Sequence, residues 1–230
     1  MQPFQTISRE CNGLSVSTEV KRSKFIASVF RVSDEAEAEV CLRLLRETHP
    51  KASHHCYAWR SSGSVPIERF SDDGEPSGTA GRPILEILRR REVQCALVVV
   101  TRYFGGTLLG ASGLVHAYTE AALAVLDQAT LMRCELYVDL QLECSYGDYG
   151  RIDRMIQVEN VSVHWRNFGE NVSMCLVIPD KEQALWQEKL RDLTNGQATL
   201  HVSPARWVGI LPDGQLCLDD VLPANDKSAT

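Results

Sequence analysis

Apolar positions in the first half of the chain alternate or gather in runs of strand length, separated by polar segments rich in turn residues. Residues 14–18 alternate and predict a short amphipathic strand. Residues 24–32 predict a second, apolar strand, entered through the basic group Lys21, Arg22 and Lys24. Over 34–47 the apolar residues fall at 36, 40, 44 and 45, close to a helical period, and Pro50 stops the helix. HHCYAWR at 54–60 gives a short aromatic strand, followed by the turn chemistry of SSGSVP. Residues 71–83, SDDGEPSGTAGRP, hold three acids, three glycines and two prolines, which excludes a regular helix or a central strand and predicts a shaped loop. Pro83 then fits the first turn of a helix over 84–91, where its missing N–H costs little. Residues 92–100 predict a strand whose nearly continuous apolar run suggests burial on both faces. They lead into a second glycine-rich loop, TRYFGGTLLGASG at 101–113, and a helix over 114–128 with Leu114, Ala117, Ala121, Leu123, Ala124 and Val125 on its apolar face.

Past a boundary near 130–135 the pattern gives a strand at 136–144, a helix at 147–157, strands at 162–167 and 171–178, a helix at 179–193 and a strand at 198–203. The order βαββαβ is that of a small ferredoxin-like sandwich. The fold class is therefore α+β, with domains at 1–133 and 134–206 and an acidic tail at 207–230 whose last ten residues are expected to be disordered. No internal repeat is visible.

With 230 residues and 44% hydrophobic content, the chain has material for two cores. Its unbroken apolar runs, such as residues 96–100, fall far short of the ~18–20 that a membrane span needs, and the opening MQPFQTISRECNG has no secretory pattern. The eight cysteines are spread evenly, without CxxC or zinc-finger spacing, so reduced thiols and a cytoplasmic location are expected. Charge divides unevenly: 16 Lys and Arg face 15 Asp and Glu up to residue 133, whereas 8 face 15 beyond it. A nucleic-acid surface therefore belongs to the first half, and neither DNA nor a membrane is expected as a partner.

The candidate chemistry sits in the two glycine-rich segments. Gly74, Gly78 and Gly81 in one, and Gly105, Gly106, Gly110 and Gly113 in the other, allow backbone N–H groups to cradle an anion. Arg82 and Arg102 supply forked donors for phosphate, and Tyr103 and Phe104 supply stacking surfaces for bases. The competing reading has the glycines only turning the chain and the aromatics packed on the helices. YFGGTLLGASG lacks both the Lys-Ser/Thr ending of a P-loop and the dinucleotide spacing, so no nucleotide cofactor is expected. Asp72, Asp73 and Glu75, joined by His54 or His55, would suit a divalent metal or acid–base work; a solvated loop with an Asx-turn or a salt bridge to Arg82 competes, and no metal is expected. Cys56 beside His55 is no catalytic dyad, because adjacent strand residues point to opposite faces. Ser71, Ser77, Thr79 and Ser112 have no base placed by spacing. His116 either faces a ligand near its helix or sits satisfied against the sheet. Tyr146, Tyr149 and Trp165 read as core or domain-contact residues.

Four motifs, in order, carry a family resemblance: KRSKFIA at 21–27, HHCYAWR at 54–60, SDDGEPSGTAGRPIL at 71–85 and VVVTRYFGGTLLGASGLVHAY at 98–118. Together they resemble the YigZ and IMPACT family over most of residues 15–203. The resemblance implies a first domain like domain 2 of ribosomal protein S5 and a second like the last domain of elongation factor G. It also implies association with RNA, the ribosome or a translation factor. Ser112 stands where a glycine is frequent, Leu108 where some relatives have lysine, and Arg82 where some have lysine. The resulting expectation is a noncatalytic RNA- or ribosome-associated regulator of translation. Arg22, Lys24, Arg82 and Arg102 would contact phosphate, Tyr103, Gly105, Gly106 and Gly110 would complete the surface, and Gly74, Gly78, Gly81 and Gly113 would shape the loops. Two alternatives stay open: a small-molecule hydrolase with a metal-assisted site at His55, Asp72, Asp73 and Glu75, and a protein-interaction module.

Overall fold

The computed structural model describes residues 3–63 and 65–218. The chain divides into two compact units: the first runs to Cys134 and takes in Gly209–Gln215, and the second holds Glu135–Val208 and the segment from Leu216.

The first unit contains β1 (Phe4–Ile7), β2 (Leu14–Val20), β3 (Ser23–Arg31), α1 (Glu35–Thr48), β4 (His54–Arg60), β5 (Glu68–Ser71), α2 (Gly81–Arg90), β6 (Ala96–Tyr103) and α3 (Gly110–Gln128). Its antiparallel sheet runs β2-β3-β6-β4-β5. β6 is central and buried along nearly its whole length because helices cover both faces. Val98 and Val100 pack with Phe25, Ala27, Cys56 and Ala58 against α2 and α3. Leu97 and Val99 pack with Phe30 and Trp59 against Leu42 and Leu45 of α1. Alanines 117, 121 and 122 let α3 lie close to the sheet. α1 starts where the Asp34 side chain accepts the Glu37 N–H at 2.9 Å while Glu37 reaches back to the Ser33 N–H at 2.7 Å.

Several boundaries differ from the sequence expectation. β1 and β5 are short strands without a long apolar signal; β1 pairs with Leu131–Cys134. β6 begins at Ala96 because Glu92 and Cys95 take left-handed backbone angles, φ +52° and +51°. It then continues to Tyr103, and α3 starts at Gly110, so half of the expected loop at 101–113 is strand or helix. The cross-strand register sets Phe25, Arg102 and His54 abreast on β3, β6 and β4.

The second unit is built on β7 (Leu131–Cys144), α4 (Tyr146–Val158), β8 (Ser162–Phe168), β9 (Val172–Pro179), α5 (Gln183–Leu193) and β10 (Thr199–Val202), with antiparallel pairing in the order β10-β7-β9-β8. The even-numbered residues of β7 and β9, from Val138 to Cys144 and Val172 to Ile178, face Ile152, Ile156, Trp186 and Leu190 of the helices. That is the period-2 pattern of a sheet with one face on a core. β11 (Arg206–Ile210) pairs with β7, and β12 (Leu216–Cys217) pairs with β11. Trp207 and Val208 are buried, so the expected tail opens as a strand, driven by the apolar pair in RWVGI. The disorder expected for the last ten residues lies outside the described residues. The protein is thus a mixed α+β chain of two domains, and no helix among the described residues is long and apolar enough to cross a membrane.

Candidate functional site

The acidic loop after β5 is organised by one carboxylate. Asp72 Oδ1 accepts the N–H groups of Ala80 at 3.0 Å and Gly81 at 2.9 Å, and Oδ2 accepts that of Gly78 at 2.8 Å. A negative side chain therefore closes the loop and meets the positive end of α2. Gly81 has no alternative here, since a Cβ would lie 2.7 Å from the Ser71 carbonyl oxygen. Asp73 faces elsewhere: its Oδ2 accepts the His55 N–H at 2.6 Å, and its Oδ1 lies 3.6 Å from Arg46 Nη2.

Glu75 goes into the interior. Its Oε1 accepts from Arg102 Nη1 and, at 2.8 Å, from the Tyr118 hydroxyl. His54 Nε2 stands 3.8 Å from the same oxygen. The side chains of Arg102 and Glu75 are only 5% and 4% exposed, which makes this a buried ion pair. Arg102 Nη2 donates to Ser23 Oγ at 3.3 Å, and the guanidinium carbon lies 5.4 Å from the Phe25 ring centroid and 5.6 Å from that of Phe104. Burial pushes the Tyr118 hydroxyl far above its ordinary pKa. It pushes the Cys56 thiol, 3.3 Å from that hydroxyl, up to about 12, so Cys56 is a protonated core residue rather than a nucleophile.

Above this network lies a cleft of about 440 Å³. Its polar lining comes from Ser53, His54, Glu75 and Arg102, and its apolar walls from Pro76, Phe104, Leu108, Leu109 and Leu114, with Gly110 and Ala111 at the start of α3. The rim is fixed by a close backbone approach. A Cβ on Gly105 would lie 2.1 Å from the carbonyl carbon and oxygen of Arg22, and the Gly105 N–H donates to Ser23 Oγ at 3.1 Å. Arg22, exposed, donates through Nη2 to Thr107 Oγ1 at 3.2 Å. Lys24, also exposed, is the register partner of Tyr103. Phe104 is 50% exposed.

The structure separates residues that the sequence grouped. Arg102 is inside the fold at the cleft, not on an open surface, because β6 extends through it. Tyr103, its neighbour on the strand, points to the opposite face, where its hydroxyl lies 3.0 Å from His49 Nδ1, so it does not line the cleft. The same alternation exchanges the histidines. His54 joins Glu75, while His55 faces Thr101, with Nδ1 3.1 Å from its hydroxyl and a pKa lowered chiefly by burial. The side chains of His55, Asp72, Asp73 and Glu75 therefore do not converge: Asp73 meets His55 only at its backbone N–H, the His55 ring faces Thr101, Asp72 takes the loop amides and Glu75 takes Arg102 and Tyr118. Among the described residues, the three-residue cluster spaced for a metal is instead Asp139, His164 and Cys175 in the second unit, where Asp139 already accepts from Arg206 at 3.0 Å. Arg82 is exposed in the first turn of α2 and does not line the cleft. Gly106 and Gly110 take positive φ at the loop and the start of α3, Gly74 and Gly78 do so in the acidic loop, and Gly113 packs against Leu109. His116 is exposed, so it does not sit against the sheet, and it does not line the cleft. Tyr146 donates to the Gly169 carbonyl at 2.9 Å and Tyr149 stacks edge-to-face on Phe168; Trp165 is partly exposed.

Sequence reasoning missed Tyr118 and Ser23. Tyr118 has a usable signal: it sits four residues after Leu114 and three before Ala121, on the buried face, and a buried tyrosine hydroxyl needs a partner. Ser23 carries no such signal.

The geometry belongs to a two-domain architecture already represented among known proteins. Residues 21–126 match the Impact N-terminal domain, and residues 142–197 match a domain of unknown function, DUF1949. The IMPACT family member YigZ of Escherichia coli is 32% identical over 189 residues, 81% of this chain and 93% of its own. The chain belongs to the IMPACT family, as a bacterial YigZ-type member carrying both domains. A crystal structure of a hypothetical protein is similar over 87% of this chain and 97% of its own, with 31% identity and a TM-score of 0.57. The two-domain translational regulator Yih1 is similar over 52% of this chain and 46% of its own, with 27% identity and a TM-score of 0.36.

Proposed function

We propose that this chain is a noncatalytic, cytoplasmic regulator of translation that contacts RNA, free or on the ribosome, at the mouth of the first unit's cleft. The observation that carries the reading is the rim where exposed Arg22, bonded to Thr107 and with its backbone against Gly105, lies next to half-exposed Phe104, over a cleft whose own charges are paired internally. A cation at a rim suits phosphate, and an exposed ring beside it suits a base. Lys24, the register partner of Tyr103, lies on the opposite face of the sheet and is not part of this rim. Arg82 adds a phosphate contact from α2. The translational setting rests on the four family motifs. The strand order β10-β7-β9-β8 supports reading the second unit as ferredoxin-like, akin to the last domain of elongation factor G; reading the first as akin to domain 2 of ribosomal protein S5 rests on the family motifs.

The test is crosslinking and sequencing of bound RNA in cells, together with ribosome co-sedimentation, for the wild type and for Arg22→Ala. The Arg22 side chain is exposed, so the variant is expected to fold, which circular dichroism checks. Loss of RNA crosslinks in the folded variant is expected. Unchanged crosslinking and co-sedimentation would sink the assignment of this rim.

A further inference from the structure

The polar floor of the cleft has acceptors in excess, and that imbalance specifies a ligand. His54 Nδ1 lies 2.8 Å from the Asp73 carbonyl oxygen. A carbonyl only accepts, so Nδ1 holds the proton and, in the neutral ring, Nε2 presents a lone pair. The 3.8 Å from Nε2 to Glu75 Oε1 is too long for a hydrogen bond. Glu75 Oε1 is taken by Arg102 and Tyr118, whereas Oε2 has no partner among the described residues and is not among the atoms sealed from solvent. Arg102 Nε also lacks a partner, but it is covered. Two acceptors, His54 Nε2 and Glu75 Oε2, are thus left to the cleft.

Charge narrows the choice. Arg102 and Glu75 neutralise one another, so an ammonium or a metal ion placed against Glu75 would also meet the Arg102 cation, and an anion would meet two acceptors. A neutral group with more than one N–H fits better. The walls, Phe104 with Leu108, Leu109 and Leu114, suit a flat apolar body. Resting on the RNA-contact reading above, we propose that the cleft takes a nucleobase with an exocyclic amino group, which donates its two hydrogens to His54 Nε2 and Glu75 Oε2 while Arg22 at the rim meets the phosphate. Adenine, cytosine and guanine qualify. Uracil does not, because its single N–H is flanked by carbonyl oxygens that would face the two acceptors. The base comes from a single strand or from a free nucleotide, since a stacked and paired base hides that edge.

Fluorescence anisotropy with labelled A8, C8 and U8 RNA, and calorimetry with AMP, CMP and UMP, test this on the full chain. The variants are His54→Leu, which removes one acceptor from a partly exposed position, and Arg22→Ala at the rim. We expect A8 and C8 to bind at least about tenfold more tightly than U8, His54→Leu to erase that preference while keeping U8 affinity, and the rim variant to weaken all three strands alike. Equal binding of A8, C8 and U8, unaltered by His54→Leu yet weakened by the rim variant, would overturn base recognition and leave the RNA-contact reading standing. Binding of AMP and CMP over UMP, with no strand bound, would support the cleft chemistry, assign it to free nucleotides and remove the RNA reading. No binding by any strand or nucleotide overturns both.

Discussion

The buried Arg102–Glu75 pair makes a prediction that separates a structural role from a surface one. Exposed ion pairs contribute about 0–1 kcal/mol, but these side chains are 5% and 4% exposed, so the cost of stranding one partner applies instead, about 3–5 kcal/mol. Arg102→Met keeps an unbranched stem between Phe25 and Phe104 and leaves Glu75 Oε1 with the Tyr118 hydroxyl alone. Glu75→Gln strands the guanidinium. Each single substitution should lower stability by about 3–5 kcal/mol, a fall in Tm on the order of 10 °C for a chain of this size. The double variant removes both charges together and should cost at least about 2 kcal/mol less than the sum of the singles. Urea denaturation at pH 7, with hydrogen exchange of the β6 amides to isolate the first unit, measures all three. Single-variant losses below about 1 kcal/mol, or a strictly additive double variant, would refute the reasoning.

Other expectations follow from single positions. Gly105→Ala sets a Cβ 2.1 Å from Arg22 backbone atoms and should cost about 3 kcal/mol or more in thermal denaturation, whereas Gly150→Ala, inside α4 with nothing within 4 Å, should gain about 0.5–1 kcal/mol. Asp72→Ala releases three amides and should cost about 2 kcal/mol, with faster hydrogen exchange at Gly78, Ala80 and Gly81. The Cys56 thiol is raised from 9.0 to about 12 in the fold, so the unfolded chain loses its proton first. Its stabilising contribution is complete below pH 9 and falls by about 1.4 kcal/mol per unit as pH rises toward 12. Cys56→Ala should flatten the stability profile over that window, and an unchanged profile would count against a buried, protonated thiol.

How far the sequence could be read depended on whether the controlling interaction was local. The apolar run at 96–100 announces a strand covered on both faces because every position must be apolar there, and β6 has that environment. The βαββαβ succession of the second half is legible for the same reason: alternation in β7 and β9 follows from one face meeting α4 and α5. The glycine segments are legible as special backbone, but not as to which atoms they approach. Only the folded chain brings Arg22 against Gly105, 83 positions later. Arg102 and Tyr103 show the limit most directly. TRYFGG looks like a loop because its glycines dominate, yet the strand runs on two residues past Thr101, and strand alternation then sends the arginine into the core side and the tyrosine to His49.

The acid that neutralises Arg102 lies 27 residues earlier, in a loop whose three carboxylates are equivalent on paper. What distinguishes them is their offset from β5 and from the start of α2. Asp72 directly follows the strand and can reach the free amides of the helix, Asp73 turns through φ +40° to the His55 backbone, and Glu75 is carried past both to the inside. A cluster that suggests one metal site from spacing is therefore three separate structural devices. The same reasoning explains why the cleft has spare acceptors: Glu75 arrives with two oxygens, and Arg102 and Tyr118 both converge on one of them. An interior that needed only a neutral core would gain from apolar residues of similar volume at Glu75 and Arg102. Keeping a carboxylate there, with one oxygen open beside the His54 ring, makes physical sense where something entering the cleft supplies the missing donor.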